Sequence, residues 1–182
     1  MSFYNKVLSL ASKHKKVSKK ISKITNLKGK SLIDIGGGSG LLSNYLLEYS
    51  KDITILEPSK EMLKKVDNKF KIINKSIQGI DLKKKYDSVI CFDSMHHFSN
   101  NHENSRLEVK KGIDKMINLG KEVIIIEPNP RKLEGLWINF FENYLFRINS
   151  YFPSIEEYDS FLKSKNYTIE KWKNYLIIHI KT

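Results

Sequence analysis

Apolar residues recur along this chain in two alternating spacings. Leu32, Ile33 and Ile35 form a short run that stops at a glycine cluster, and Leu41, Leu42, Tyr45, Leu46 and Tyr49 then return at helical spacing. The pair repeats: Ile53, Ile55 and Leu56 precede Met62, Leu63 and Val66, where Pro58 ends the strand and Ser59 suits a helix N-cap. Phe70 to Ile73 read as a third strand and Val89 to Phe92 as a fourth. Val109, Ile113, Met116 and Ile117 mark a helix that closes at Gly120. Residues 122 to 130 hold a fifth strand, apolar on both faces as a central parallel strand should be, and prolines end it. Ser154 is the expected N-cap of a helix carrying Ile155, Tyr158, Phe161 and Leu162. Tyr167 to Trp172 and Tyr175 to Ile180 predict a final antiparallel hairpin around Lys173-Asn174. Residues 3 to 28 are amphipathic and helical in spacing, so 1–29 read as a helical cap on one domain spanning 1–182. Strands alternating with helices predict an α/β sheet covered on both faces.

The candidate chemistry lies at the first turn. Residues 34 to 40, Asp-Ile-Gly-Gly-Gly-Ser-Gly, hold four of the nine glycines of the chain. Glycine accepts positive φ there and lets a ligand approach bare backbone, while the N–H groups of the following helix favour negative charge. A phosphate-binding P-loop would end in Gly-Lys-Ser/Thr, which is absent. The dinucleotide fingerprint Gly-x-Gly-x-x-Gly, counted from Gly36 and Gly38, finds Leu41 in its last place. A glycine turn that only connects strand to helix is the bland alternative. Asp34-x-Gly36-x-Gly38-x-Gly40 resembles the first motif of the class I S-adenosylmethionine-dependent methyltransferases. Glu57, at the end of the second strand, matches the acid that holds both ribose hydroxyls in that family.

The resemblance implies a Rossmann-like seven-stranded mixed sheet with helices on both faces and a C-terminal antiparallel hairpin. It implies S-adenosylmethionine as cofactor, with Gly36, Gly37, Gly38 and Gly40 against the methionine portion, Asp34 orienting its amino group, and Glu57 and Pro58 at the ribose. Ser76 and Ile77 stand where the family often places an acid for the adenine amino group; Gln78 or Asp81 could substitute. Asp93 falls where the fourth strand emerges toward ligand. His96 and His97 resemble the family's histidine pair and are the candidates for a base, since imidazole titrates near neutral pH. Glu127 and Asn129 close the fifth strand near the expected acceptor, in a Glu-Pro ending similar to the ubiquinone-biosynthesis branch. Trp137 opens an aromatic stretch that is either a core-facing helix or an apolar wall for the acceptor. Family members acting on nucleobase amino groups usually carry Asn/Asp-Pro-Pro-aromatic after the fourth strand, and Asp93-Ser94-Met95-His96 is not that motif.

Composition changes this picture in one respect. The net charge of +12 favours polyanions, yet only Arg106, Arg131 and Arg147 are arginines among 32 basic residues, and an AT-rich coding sequence would also enrich lysine. The aromatic stretch and the absent Pro-Pro motif point to a small-molecule acceptor; nucleic acid stays open but is not favoured, and a non-catalytic cofactor-binding subunit stays open as well. Cys91 has no disulfide partner, in keeping with a cytoplasmic protein. No apolar run reaches the ~18 residues of a membrane span. His96, His97 and His102 lack the companions of a metal shell, so no metal is expected.

Overall fold

A computed structural model describes residues 3–81, 83–99, 104–132, 135, 136, 140, 143, 144 and 150–182, with side chains described from residue 11 onward. The elements in chain order are α1 (Phe3–Ile24), β1 (Ser31–Ile35), α2 (Leu41–Leu46), β2 (Asp52–Leu56), α3 (Lys60–Leu63), β3 (Lys71–Ile73) and β4 (Ser88–Phe92). A 3-10 turn (Met95–His97) follows, then α4 (Ser105–Leu119), β5 (Glu122–Pro128), α5 (Ile155–Leu162), β6 (Asn166–Trp172) and β7 (Tyr175–Lys181). One sheet of seven strands runs β3-β2-β1-β4-β5-β7-β6. The first five strands are mutually parallel, and β7 pairs antiparallel with both β5 and β6. The expected Rossmann-like mixed sheet with its terminal hairpin is what the chain forms.

Alternation along the strands divides the core in two. Ile33, Ile35, Val89, Cys91, Val123 and Ile125 face α4 and α5, where Val109, Ile113, Met116, Tyr158 and Leu162 meet them. Leu32, Ile90, Phe92, Ile124 and Ile126 face the other way, against Val17 and Ile21 of α1 and Leu42 and Leu46 of α2. Each of these buried aliphatic side chains contributes roughly 1.5–3 kcal/mol. All seven residues of β5 are buried, as its unbroken apolar run requires.

Two helices are shorter than their apolar spacing predicts. α2 ends at Leu46 rather than Tyr49, and α3 is one turn, leaving Val66 beyond its end. α3 has no buried residue, so little packing energy rewards a longer helix. The N-cap at Ser154 forms as expected and is a full capping box with Glu157.

Strand order reverses between β1, which leads to β2 and β3, and β4, which leads to β5. In open parallel sheets such a crevice, at the carboxyl ends of the strands, is where ligands bind.

Candidate active site

β1 carries Asp34 on the α2 side of the sheet, one residue before the chain leaves the strand. The turn that follows has positive φ at Gly36 (66°), Gly38 (56°) and Gly40 (76°). It is pinned to β2 by the Gly36 N–H, which donates to the Leu56 carbonyl at 2.7 Å. A Cβ on Gly36 would overlap the Ser94 hydroxyl and lie 2.7 Å from Ser94 Cβ, so the turn after β4 rests directly on side-chain-free backbone.

Two carboxylates frame this bend. Asp34 is 2 % exposed and accepts a 2.6 Å hydrogen bond from Ser43 Oγ. Burial pushes its carboxyl up to about 6, against the Ser43 hydrogen bond and with some help from the Glu57 charge. Glu57 spans two loops: Oε2 accepts from the Gly38 N–H at 3.0 Å and Oε1 from the Ser59 N–H at 2.8 Å. Asn74 fixes the backbone beneath it by donating to the Glu57 and Pro58 carbonyls, both at 2.9 Å.

Around the bend lie two open cavities. One, of about 260 Å³, is lined by His14, Asp34, the glycine turn, Leu41, Leu42, Met62, Phe92 and Asp93. The other, of about 370 Å³, is lined by Gly36, Gly38, Glu57, Pro58, Met62, Ser76, Ile77, Gln78, Asp93, Ser94 and His97. Gly36, Gly38, Met62 and Asp93 belong to both, which makes them one bent cleft. A larger cavity of about 580 Å³ lies at the amino ends of β1 and β2, among Leu27 to Lys30, Tyr49 and Asp52. None of the glycine-turn residues or carboxylates of the cleft lines it, so its size does not make it the site.

Asp93 is held at φ 53°, a region that non-glycine residues seldom occupy, and Lys13 of α1 reaches across to pair with it at 2.6 Å. Burial disfavours the Lys13 charge, but Asp93 outweighs this and raises the ammonium above its ordinary value. With His14 on the cavity wall, α1 closes one side of the cleft. The amphipathic spacing of residues 3 to 28 located the helix, but no local signal marked Lys13 or His14 as cleft residues.

The two histidines separate. His97 is exposed, lines the larger of the two cleft cavities and has Nδ1 3.2 Å from Ser150 Oγ. His96 is 2 % exposed, lines neither cavity, stacks on Phe152 at 4.5 Å and has Nδ1 2.5 Å from Glu127 Oε2. Adjacent residues on a 3-10 turn project about 120° apart, so one faces the cleft and the other the interior. Glu127 Oε1 accepts from the Ser94 and Met95 N–H groups, at 2.8 and 2.7 Å. Glu127 therefore holds the turn from below rather than facing the cleft. Asn129 is 3 % exposed and also lines neither cavity; its Oδ1 accepts from the Arg131 N–H at 3.0 Å.

On the far side of the larger cleft cavity, Ser76 and Ile77 line the wall as expected. The Gln78 amide donates to the Phe98 carbonyl at 2.6 Å, and Asp81 lines neither cavity. Trp137 and His102 lie outside the described residues. Among the described residues no three His, Cys, Asp or Glu side chains converge as metal ligands do, and no helix is long and apolar enough to cross a membrane.

An adenosyl sulfonium fits what is present: a bend whose Gly36 and Gly38 line both cavities without side chains, a buried carboxylate with raised pKa at one end, and a second carboxylate beside an apolar wall at the other. Comparison with known proteins agrees. The fold resembles that of magnesium protoporphyrin IX methyltransferase from Synechocystis PCC 6803 with bound S-adenosylhomocysteine, at 18% identity and a TM-score of 0.72, covering 100% of this chain and 88% of that one. An S-adenosylmethionine-dependent methyltransferase from Clostridium acetobutylicum ATCC 824 aligns over 99% of both chains at 14% identity, with a TM-score of 0.68. Ribosomal RNA small subunit methyltransferase A of Mesomycoplasma hyopneumoniae (strain 232) is 39% identical over 69 residues, 38% of this chain. The chain spans about a quarter (26%) of the length of that relative. Residues 9–130 match the family described as "Methyltransferase domain", which is two thirds of the chain, and the protein belongs to that family.

Proposed function

We propose that the protein methylates a small-molecule acceptor. The observation that carries this reading is the pairing of the side-chain-free bend with a 3-10 turn whose interior is a buried His96–Glu127 pair. That turn occupies the position from which family members acting on nucleobases grip the ring, and it carries no Pro-Pro backbone. The full-length likeness in fold to a porphyrin methyltransferase supports the same view.

S-adenosylmethionine, when bound, supplies a methyl group on a positively charged sulfur. Asp34 would take the ammonium of the methionine portion, the glycine turn would line that portion, and Glu57 would accept hydrogen bonds from the ribose hydroxyls. Ser76 and Ile77, which line the larger cleft cavity, would flank the adenine, and Asp93, which lines both cavities, would stand between the two ends. Charge is neutralised as the methyl group moves, so the residues mainly align the reactants and exclude water; alignment can lower a barrier by roughly 7–11 kcal/mol. Where the acceptor must lose a proton, His97 would take it, a role supported by its lining of the cleft.

Calorimetry with S-adenosylhomocysteine tests the cofactor site. Binding to the parent chain and a loss of about tenfold or more in Glu57→Gln are expected, the size of a charge-assisted hydrogen bond. No heat at millimolar ligand would remove the reading. Mass spectrometry of what remains bound with S-adenosylhomocysteine would identify the acceptor. A second reading, methylation of RNA, is favoured by the concentration of positive charge on α1 and by the partial ribosomal RNA methyltransferase relative.

A further inference from the structure

The basic charge is not spread over the chain. The first 30 residues hold nine lysines and no acid, whereas residues 31–182 hold 23 basic and 20 acidic residues. A coding bias toward lysine would not exclude carboxylates from one segment. The fold then sorts these lysines by role. Lys13 pairs with Asp93, Lys20 with Glu170 and Lys30 with Glu122. Lys15, Lys16, Lys19 and Lys23 are exposed, and none has a carboxylate partner among the described residues. At 3.6 residues per turn these four fall within an arc of about 100°, on the side of α1 opposite the buried Val17 and Ile21.

Beside that arc a groove of about 280 Å³ opens between α1 and the β6–β7 turn, lined by Lys16, Trp172, Lys173 and Tyr175 among others. Lys16 is common to the arc and the groove. At the inner end, the Tyr175 ring lies 5.9 Å from that of Phe92, which walls the cofactor cleft, and Lys13 bridges the Tyr175 ring and Asp93. A charged track therefore leads through an aromatic-lined groove to the rim of the cleft.

We infer that this face of α1 and the adjoining groove bind single-stranded nucleic acid through its phosphates, independently of sequence. Lysine ammoniums neutralise phosphates as point charges, and Lys173, whose ammonium lies 5.0 Å from the Trp172 ring, adds a further cation at the groove. The arc contains no arginine, which accords with backbone contact rather than base readout. An anionic bilayer fits less well, because the apolar side of the described part of α1 is already buried against the sheet. The binding surface stands apart from the small-molecule reading; only its link to catalysis rests on the second reading, in which RNA is the acceptor.

Fluorescence anisotropy with a labelled mixed-sequence RNA of about 20 nucleotides, the same sequence as DNA, and phosphatidylserine vesicles tests it. Four neutralised phosphates on a single strand give a log–log salt slope near −3, so affinity should fall about 50-fold between about 50 and 200 mM salt. The quadruple variant K15Q/K16Q/K19Q/K23Q should lose most of that slope and bind at least about 30-fold more weakly at the lower salt. Its calorimetric affinity for S-adenosylhomocysteine should be unchanged, which also shows that it is folded. Equal strand binding by the variant, no strand binding by the parent, or tighter binding to vesicles than to either strand would overturn the inference. RNA bound with the expected slope but not methylated supports the surface and removes RNA as acceptor. Loss of cofactor binding in the parent would remove the proposed function and leave the strand measurement standing.

Discussion

Asp34 is the residue at which folding and the proposed binding of an ammonium would oppose each other. Its carboxyl titrates near 6 in the fold, above the ordinary 3.8, because it is enclosed. A raised folded pKa means that the native state keeps a proton the unfolded chain has already released between these values. The site thus favours folding below about pH 4 and loses that advantage as pH rises through 6, a difference of about 3 kcal/mol. A cationic ammonium pairs only with the ionised form. Affinity for S-adenosylhomocysteine is therefore expected to be flat above pH 7 and to fall about tenfold per pH unit below 6, with protons released on binding in that range. Calorimetry in two buffers of different ionisation enthalpy reads both quantities. Affinity that does not change between pH 5 and 8 would mean that Asp34 does not meet the ammonium. Gly36 makes a second residue-level case. Gly36→Ala forces an L side chain to φ 66°, which costs roughly 1–2 kcal/mol, and adds the overlap with Ser94. Adding Ser94→Gly should return the steric part in urea titrations but not the backbone part; equal stability of Gly36→Ala and parent would sink the account of this turn.

At the scale of elements, the turn after β4 depends on the end of β5. Parallel pairing sets Phe92 opposite Ile126, which brings Glu127 beneath Ser94 and Met95, with His96 alongside. Glu127→Ala leaves two backbone N–H groups without this acceptor and takes the carboxylate away from His96. A loss of about 3–5 kcal/mol is expected. Glu127→Gln keeps an oxygen for the N–H groups and an amide for the ring, so it should cost less than about 2 kcal/mol. If both variants were equally destabilised, negative charge rather than hydrogen-bond geometry would be what the turn needs. Only part of this was legible in the sequence. The glycine turn, the strands and the Ser154 capping box are local patterns, carried by φ preference, apolar run length and a four-residue motif. The contact of Glu127 with a turn some 30 residues earlier depends on strand order, which periodicity does not encode; Glu127 therefore reads as an acceptor-side residue until β4 and β5 are laid side by side. The separation of His96 from His97 is hidden for the same reason, since its cause is the projection of a turn seated on that pair. Lys13 lies 80 residues from Asp93 and had only helical spacing to mark it.

The molecule as a whole has its cleft at the carboxyl ends of its strands and a polar anchor at the opposite end. Glu122 begins β5 there, 8 % exposed, and collects Thr25 after α1 at 2.7 Å, Lys30 before β1 at 2.9 Å, Ser88 of β4 at 2.5 Å and His179 of β7 at 3.2 Å. One carboxylate so joins the segment after the first helix to the last strand. Burial works against its charge, but the hydrogen bonds from His179, Ser88, Lys30 and Thr25 outweigh this and hold it well below the ordinary glutamate range. With a depressed folded pKa, the stabilisation is fully present above the unfolded value of about 4.3 and is lost as pH falls below it. Glu122→Gln should therefore be about 3 kcal/mol less stable than the parent at pH 7 and only about 1 kcal/mol less stable at pH 3. Because no residue of this cluster lines the cleft, its affinity for S-adenosylhomocysteine at pH 7 should match the parent's. Urea titrations at the two pH values separate the charge from the shape of the side chain: a gap of the same size at both would show that Glu122 acts through packing, and that the two ends of the chain are joined by something other than its ionised carboxylate.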